Sequence, residues 1–294
     1  MTQYTPVIPV SIDSPDRIRN LRILRKFMAE HLGVKKAVIS EFGVRPKAFD
    51  LAEMYDDDYA FVQQIDGDSW STAKMTNTGL ELVRTKTCAI WDVDCLVLPA
   101  AAARAAEIVE SGEAAMSLPH NRTAFALPWA TKVMERDGIL DFEEPFEDGK
   151  HHEMFENMVG GVRFFNTATL RHVRGINELF HGWGMEDDEI VAKLQTLGHK
   201  VARLGAPEVH LWHERTANCS PFEEQQALSF LEKTRNSMMR KEDLVDYYGI
   251  TEYVGHYLTD DKPTTHTQEE VELREYLVDH INSPGGQDEP DQNV

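Results

Sequence analysis

The sequence is poor in cysteine and has no long apolar segment. Its 294 residues include three cysteines, Cys88, Cys95 and Cys219, without CxxC spacing. This excludes a disulfide framework and a cysteine zinc site, and favours a reducing compartment. No apolar run reaches the roughly 18 residues of a membrane span, because Pro99 and Arg104 interrupt the longest candidate. The N-terminus lacks the basic-then-apolar pattern of a signal peptide, so we expect a cytoplasmic protein.

Basic residues are also scarce. Lys and Arg number 30 against 50 for Asp and Glu, which gives a formal net charge of -20. Such a charge disfavours broad binding to nucleic acid or to an anionic membrane. The excess is concentrated at the C-terminus, because residues 241–294 contain 3 basic and 14 acidic residues. With 41% hydrophobic residues, the chain otherwise has the composition of a globular protein.

The first 120 residues alternate between short apolar segments and segments of helical periodicity. The predicted strands are Thr5 to Ile12, Ala37 to Ser40, Tyr59 to Gln63 and Cys88 to Trp91. The predicted helices begin at Pro15 and at Ala73. Repeated strand-helix order predicts an α/β domain whose sheet is mostly parallel and flanked by helices.

The second half is less regular. Its Pro-, Glu- and Asp-rich stretch from Pro119 to His152 is predicted to be a functional loop or lid. The segments predicted to be regular after it are helices at 167–173, 186–198 and 221–240 and strands at 200–204 and 209–212. We expect a domain over residues 1–240, an acidic helical extension over 241–282 and a disordered tail over 283–294.

Two carboxylates follow the central predicted strand, in the string Trp91-Asp92-Val93-Asp94. Open α/β sheets bind ligands at the carboxyl ends of their strands. Carboxylates spaced i, i+2 there can hold a hard divalent cation against phosphate oxygens. An isolated DxD string is more often a pair of acidic residues that close a strand before a loop, so this string decides little by itself.

A second acidic string, Gly182-Trp183-Gly184-Met185-Glu186-Asp187-Asp188-Glu189, opens a predicted helix. Carboxylates in a first helical turn are stabilised by the helix dipole, which would give this string a purely structural role. The glycines around the tryptophan favour a different interpretation, in which a flat aromatic face lies beside acidic groups. Such a pair suits a sugar ring and a general base, and both interpretations remain open on local grounds.

Two histidines lie in the string His210-Leu211-Trp212-His213. In a strand, residues spaced i, i+3 point to opposite faces unless the strand ends between them. One histidine is therefore free to be structural. A histidine close to the DxD string would complete a metal site that accepts both nitrogen and oxygen, as Mn²⁺ does.

Together and in this order, these motifs resemble glycosyltransferases of the glycosyltransferase-A fold, and in particular inverting β-1,4-galactosyltransferases and their bacterial polysaccharide-polymerase relatives. The resemblance runs from about Thr5 to Glu214 and leaves the C-terminal tail unexplained. It implies a Rossmann-like catalytic domain over residues 1–240. Residues 1–120 would form the nucleotide-sugar-binding half, and residues 153–215 the acceptor and catalytic half.

The resemblance also implies a metal site and a donor site. Asp94 and His213 would bind Mn²⁺ or Mg²⁺, with His210 at a second possible ligand position. For the donor, a UDP-sugar, Asp92 would face the ribose or sugar. Further donor contacts are implied for Trp70, which would stack on uracil, and for Lys74. Galactosyltransferases have an arginine-rich motif after the first strand, whereas the nearest arginines here are Arg17 and Arg19. This departure leaves the donor's sugar and base open.

On the acceptor side, the resemblance implies that Asp187 is the catalytic base and that Trp183 stacks on the acceptor. Glu186 and Asp188 would hydrogen-bond the acceptor, a saccharide or glycoconjugate. The implied reaction is transfer of a hexose with inversion, by a hexosyltransferase. Two alternatives remain open, a glycosyltransferase acting on a modified base in viral DNA and an inactive nucleotide-sugar-binding module. The first needs a local basic groove, for which the candidates are Arg17, Arg19, Arg22, Arg25 and Lys26. The oligomeric state is not indicated.

Overall fold

A computed structural model describes residues 3–65, 70–138, 142–147, 149, 151–180, 184–214, 231 and 241–247. The described strands are β1 Tyr4–Val10, β2 Val38–Gly43, β3 Asp58–Gln63, β4 Thr87–Trp91, β5 Cys95–Val97, β6 Met116–Ala126, β7 His151–Glu156, β8 Val162–Asn166 and β9 Val201–His210. The described helices are α1 Pro15–His31, α2 Phe49–Met54, α3 Thr72–Leu80, α4 Pro99–Ser111, α5 Pro128–Asp137, α6 Thr167–His172, α7 Glu186–Thr196 and α8 Lys241–Tyr247, with a 3-10 turn at Glu144–Phe146.

The strands described form one sheet in the order β3-β2-β1-β4-β8-β6-β9-β5, with β7 added beside β6. The first four strands are parallel, as predicted, and β6 also runs parallel to β9. The remaining neighbours pair antiparallel, so the sheet is mixed rather than mostly parallel. The apolar periodicity of the sequence indicates which side chains are buried. It does not indicate which strands become neighbours, and the direction of each strand depends on that pairing. The predicted α/β class with flanking helices is confirmed.

Helices cover both faces of the sheet. Successive strand residues point to opposite faces, so Ile8 belongs to one apolar cluster and Val7 to the other. The first cluster packs against α1, α4 and α5, and the second packs against α3, α6 and α7. No helix in the described part of the chain has the length and apolarity needed to cross a membrane.

Two sequence predictions for the second half are wrong. The stretch predicted to be a loop or lid contains the long strand β6, in which Pro119 lies, together with α5 and the 3-10 turn. Pro119 is tolerated because the register of β6 against β9 shifts between Leu118 and His120. The two short strands predicted at 200–204 and 209–212 are a single strand, β9, since Gly205 and Pro207 interrupt its apolar pattern without ending it.

The predicted helix at 221–240, apart from residue 231, the part of the predicted extension at 248–282 and the predicted tail at 283–294 lie outside the described residues. Within the predicted extension, α8 is described, and its Val245 packs against the second apolar cluster. The division of the chain at residue 240 stays a prediction.

Candidate functional site

The carboxyl end of β4 presents the two aspartates of the DxD string. Strand β4 is fully buried up to Trp91, whose indole nitrogen donates a hydrogen bond of 2.7 Å to the Cys95 carbonyl. The backbone nitrogen of Cys95 donates to the Asp92 carbonyl at 3.1 Å. These bonds close a tight turn between β4 and β5 and fix the backbone that carries Asp92 and Asp94.

Both histidines of the later motif reach Asp94. Strand β9 ends at His210, so the chain changes direction before His213 and the opposite-face rule for a strand no longer applies. The Nε2 atom of His210 lies 3.4 Å from one carboxylate oxygen of Asp94, and Nε2 of His213 lies 3.2 Å from the other. The backbone nitrogen of Leu211 donates to the Asp94 carbonyl at 2.6 Å and holds the two segments together.

The imidazole rings are oriented for coordination through Nε2. Each Nδ1 lies 3.0 Å from a backbone carbonyl, that of Leu211 for His210 and that of Glu214 for His213. A carbonyl at Nδ1 selects the tautomer with the proton there, which leaves the Nε2 lone pair free. One ligand atom each from Asp94, His210 and His213 lies within 4.8 Å of the others.

The electrostatics of this cluster favour the ligand forms of Asp94 and His210. Burial alone would raise the pKa of Asp94, but His210, Arg17 and His213 together lower it to about 2. Arg17, on α1, forms an ion pair with the Asp94 carboxylate. Burial lowers the pKa of His210. An ionised carboxylate and neutral imidazoles are the protonation states that bind a divalent cation.

The acidic string of α7 lies near the other aspartate. Helix α7 begins at Glu186, after Met185 in a left-handed conformation with φ of 74°. Asp187 forms an ion pair with Arg163 of β8, and Arg163 Nη2 lies 3.5 Å from Asp92. The donor-side and acceptor-side carboxylates predicted from the sequence are therefore joined through one arginine.

Glu186 is buried, whereas Asp188 is partly exposed. Burial raises the pKa of Glu186 to about 7, although Arg163 and Thr72 oppose the increase. A carboxyl group with this pKa is partly protonated at neutral pH and can donate as well as accept a hydrogen bond. Trp183 and Gly182, which precede this turn, lie outside the described residues.

The predicted nucleotide contacts lie at the carboxyl ends of neighbouring strands. Trp70 packs against Phe42 of β2, Val62 of β3 and Met75 of α3. Parallel strands place their carboxyl ends at one edge of the sheet, so Trp70 lies along the same edge as the DxD string. Lys74 is exposed in the first turn of α3.

Two arginines of the site were missed from the sequence. Arg163 lies in an apolar strand, and a charge inside such a strand is a signal that could have identified it. Arg17 was noted as a neighbour of a missing motif and as a candidate for a basic groove, but its spacing from Asp94 in the sequence gave no indication of their contact. Glu208, buried beside the Gly160-Gly161 turn, was also overlooked.

Comparisons with known proteins show what this fold and this arrangement are similar to. Residues 146–214 match the family described as the N-terminal domain of galactosyltransferase. A segment of 66 residues is 30% identical to β-1,4-galactosyltransferase 7 of Drosophila melanogaster, and it covers 22% of this chain and 20% of that protein. The matched segment thus spans about a fifth of that relative. The predicted resemblance to galactosyltransferases is confirmed.

Solved structures agree with the fold. TarS 1-349 of S. aureus in complex with UDP-GlcNAc gives a TM-score of 0.52 at 12% identity, with 82% of this chain and 69% of that chain covered. The catalytic domain of Drosophila β-1,4-galactosyltransferase 7 in complex with xylobiose gives 0.42 at 17% identity, with 78% and 80% covered. The predicted glycosyltransferase-A fold is thereby confirmed through the TarS structure.

Proposed function

We propose that this protein is a metal-dependent inverting glycosyltransferase that moves a hexose from a UDP-sugar to a hydroxyl group of a saccharide or glycoconjugate. One observation carries the proposal. Asp94, His210 and His213 converge at the end of β4, and the neighbouring Asp92 is joined to Asp187 through Arg163. A cation site and a base on opposite sides of one DxD string are the parts that this transfer needs.

The residues at the end of β4 fit a divalent cation. They offer one carboxylate and two imidazole nitrogens, a mixed donor set that suits Mn²⁺ better than the harder Ca²⁺. Asp94, His210 and His213 would hold the cation, which would supply positive charge to stabilise UDP as the leaving group. Arg17 already places a positive charge on Asp94.

The residues of the chain perform the remaining steps. Asp187 accepts the proton of the acceptor hydroxyl as that oxygen attacks the anomeric carbon from the face opposite UDP. The bond from the new oxygen to the anomeric carbon forms while the bond to the phosphate oxygen breaks, so the configuration inverts. Glu186 and Asp188, with Trp183, would bind and orient the acceptor.

The donor part of the proposal has support at the nucleotide end of the sheet. Trp70 exposes part of its ring beside α3, and Lys74 and Asp92 lie along the same edge. TarS, which shares the fold, has been solved in complex with UDP and with UDP-GlcNAc. A nucleotide diphosphate sugar is therefore the donor class that we propose. Cys88 and Cys95 are free and buried, which fits the proposed cytoplasmic location.

The alternative acceptor, a modified base in DNA, requires a basic groove, for which the arginines of α1 were the candidates. Arg17 is paired with Asp94, Arg19 with Asp16, and Arg25 with the buried Asp57. Their charges are therefore neutralised within the protein, and among the basic residues of that helix Arg22 and Lys26 remain exposed. This arrangement opposes a groove along α1 and favours the saccharide acceptor.

Metal and donor are tested together with a panel of nucleotide sugars, in Mn²⁺ and in EDTA, scored for donor hydrolysis without acceptor and for transfer to saccharides. We expect activity with a UDP-sugar in Mn²⁺ and its loss in EDTA. Asp94→Asn and His213→Ala should each weaken Mn²⁺ binding in the presence of UDP by about tenfold or more. His172→Ala, on α6, is the matched control. Parent-like Mn²⁺ binding by both site variants would show that the metal site is misassigned.

A further inference from the structure

Arg163 is a charged residue in an apolar strand. Its neighbours Val162, Phe164 and Phe165 are buried core residues, and Arg163 itself is 1% exposed. In the register of β8 against β4 it lies opposite Ile90, two residues before Asp92. Because side chains alternate along a strand, Arg163 shares with Ile90 the face covered by α7. The strand thus directs a guanidinium group toward the first turn of α7.

This guanidinium contacts both halves of the proposed site. Its Nη1 pairs with Asp187 on α7, and its Nη2 lies 3.5 Å from Asp92 at the end of β4. Asp92 also accepts a hydrogen bond of 3.1 Å from the backbone nitrogen of Gly161. Asp92 is therefore held by the backbone, and Arg163 connects this fixed group to Asp187.

The positive charge of Arg163 also acts on other buried carboxylates near it. Burial raises the pKa values of Asp92, Glu186 and Glu208, and Arg163 lowers each of them. A cation that lies among several buried carboxylates reduces their mutual repulsion and so allows them to occupy one small volume. The planar fork of arginine can contact two carboxylates at fixed angles, whereas the ammonium group of lysine is a single point charge.

We propose that Arg163 is a positioning residue for glycosyl transfer, which orients the carboxylate of Asp187 toward the acceptor and links it to Asp92 on the donor side. The inference rests on the proposed function, because it assigns Arg163 a role in the chemistry of that site. A structural role alone would require only that the buried charges be balanced, and would not depend on Asp187 serving as the base.

The test is a double-mutant cycle on the full chain. Arg163→Lys keeps the charge but loses the fork, so we expect kcat with a saturating UDP-sugar and acceptor to fall by about tenfold, with donor KM within about threefold. In the Asp187→Asn background the same change should alter the residual kcat by less than about twofold, because its effect acts through Asp187. Arg171→Gln, which removes hydrogen bonds to the carbonyls of Leu80 and Val83, is the control for a lost structural arginine.

The outcomes separate the two hypotheses. An equal loss of kcat in both backgrounds, or no loss in the parent background, would overturn the role of Arg163 while leaving the proposed function intact. A folded parent that transfers no sugar from any UDP-sugar would overturn the proposed function, and this inference with it. If Arg163→Lys does not fold, a double variant that carries Arg163→Met and Asp92→Asn is used instead. It removes the buried positive charge together with one buried negative charge, and Asp92→Asn alone is its reference. The same cycle with Asp187→Asn then gives the same contrast.

Discussion

At the scale of single residues, Asp187 separates a structural from a chemical interpretation of the acidic string. A carboxylate in the first turn of α7 is stabilised by the helix dipole, by at most about 1 kcal/mol. A base is required for transfer itself. Asp187→Asn keeps the shape of the side chain but removes the proton acceptor, so we expect turnover to fall by about 10²–10⁴ with donor affinity unchanged. This loss corresponds to roughly 3–5 kcal/mol in the barrier.

The measurement combines melting temperature, UDP-sugar affinity and turnover on one preparation. Asp50→Asn is the matched control, since Asp50 is an exposed carboxylate in the first turn of α2. It should cost at most about 1 kcal/mol of stability and leave turnover unchanged. Turnover of Asp187→Asn within about threefold of the parent would remove Asp187 from the mechanism.

Glu186 makes stability depend on pH. Burial raises its pKa in the folded protein from the ordinary 4.5 of a glutamate to about 7. The folded state therefore binds more protons than the unfolded state between these values, and the stability associated with Glu186 decreases as pH rises through that window. Glu186→Gln removes this loss. Relative to the parent, the variant should gain on the order of 1–3 kcal/mol of unfolding free energy between about pH 4.5 and about pH 8.

Urea unfolding of both proteins at the two pH values measures this gain. Glu135→Gln, which neutralises an exposed carboxylate on α5, should follow the parent within about 0.5 kcal/mol at both. A constant difference between Glu186→Gln and the parent across the range would show that Glu186 titrates alike in the folded and unfolded states.

At the scale of elements, the turn before β8 depends on the glycine at position 161. Gly161 has φ of +90°, and an added Cβ would lie 2.3 Å from the Glu208 carboxylate oxygens. Glu208 cannot move freely, because it accepts hydrogen bonds of 3.1 Å from Thr123 Oγ1 and from the Val162 backbone nitrogen. Gly161→Ala should therefore lower the free energy of unfolding by about 2–4 kcal/mol. It should also displace Asp92, which the Gly161 nitrogen holds.

Thermal and urea unfolding test this prediction, with Gly43→Ala at the end of β2 as the control. An added Cβ on Gly43 would find its nearest atom at 3.6 Å, so that variant should stay within about 1 kcal/mol of the parent. If Gly161→Ala were as stable as Gly43→Ala, the turn would have room to rearrange. The Glu208 carboxylate would then not restrict the residue at position 161.

Sequence patterns predicted the elements whose signal is local. Strand β4 was predicted from Cys88 to Trp91 and is observed from Thr87 to Trp91, and helix α1 begins at the predicted Pro15. A continuous apolar run and a Ser-Pro start are explicit in the chain. Strand β6 was not, because its burial alternates irregularly around Pro119 and its pairing partners are distant in sequence. Local periodicity does not contain information on such long-range pairing.

In the candidate site, too, the residues that belong to a local motif were predictable, and those defined by tertiary contacts were not. The DxD string and the two histidines were identified as residue types suited to a metal, and the fold brings them together. Arg163 and Glu208 were not identified, because their importance arises from burial beside other carboxylates, which only the tertiary structure establishes. The roles given to Trp70, Lys74 and Asp188 stay predictions, as do those of the other site residues.

At the scale of the whole molecule, the negative charge is concentrated in the C-terminal residues 241–294. Within this acidic part, α8 contacts the folded domain. Val245 of α8 packs against the apolar cluster formed by α3, α6 and α7. Removing that contact would expose apolar surface on this cluster. Residues 283–294, which lie outside those described, begin with Ser283-Pro284-Gly285-Gly286, a string that cannot continue a helix.

Two truncations distinguish these parts of the chain. A protein ending at Asn282 should melt within about 2 °C of the full chain and transfer sugar at the same rate, because it loses only a short polar segment. A protein ending at Arg240 also loses Val245, and we expect it to melt several degrees lower and to be less soluble. Equal melting temperatures for the two truncations would show that α8 contributes nothing to the domain. A lower melting temperature for the protein ending at Asn282 would instead show that residues 283–294 pack against the folded chain.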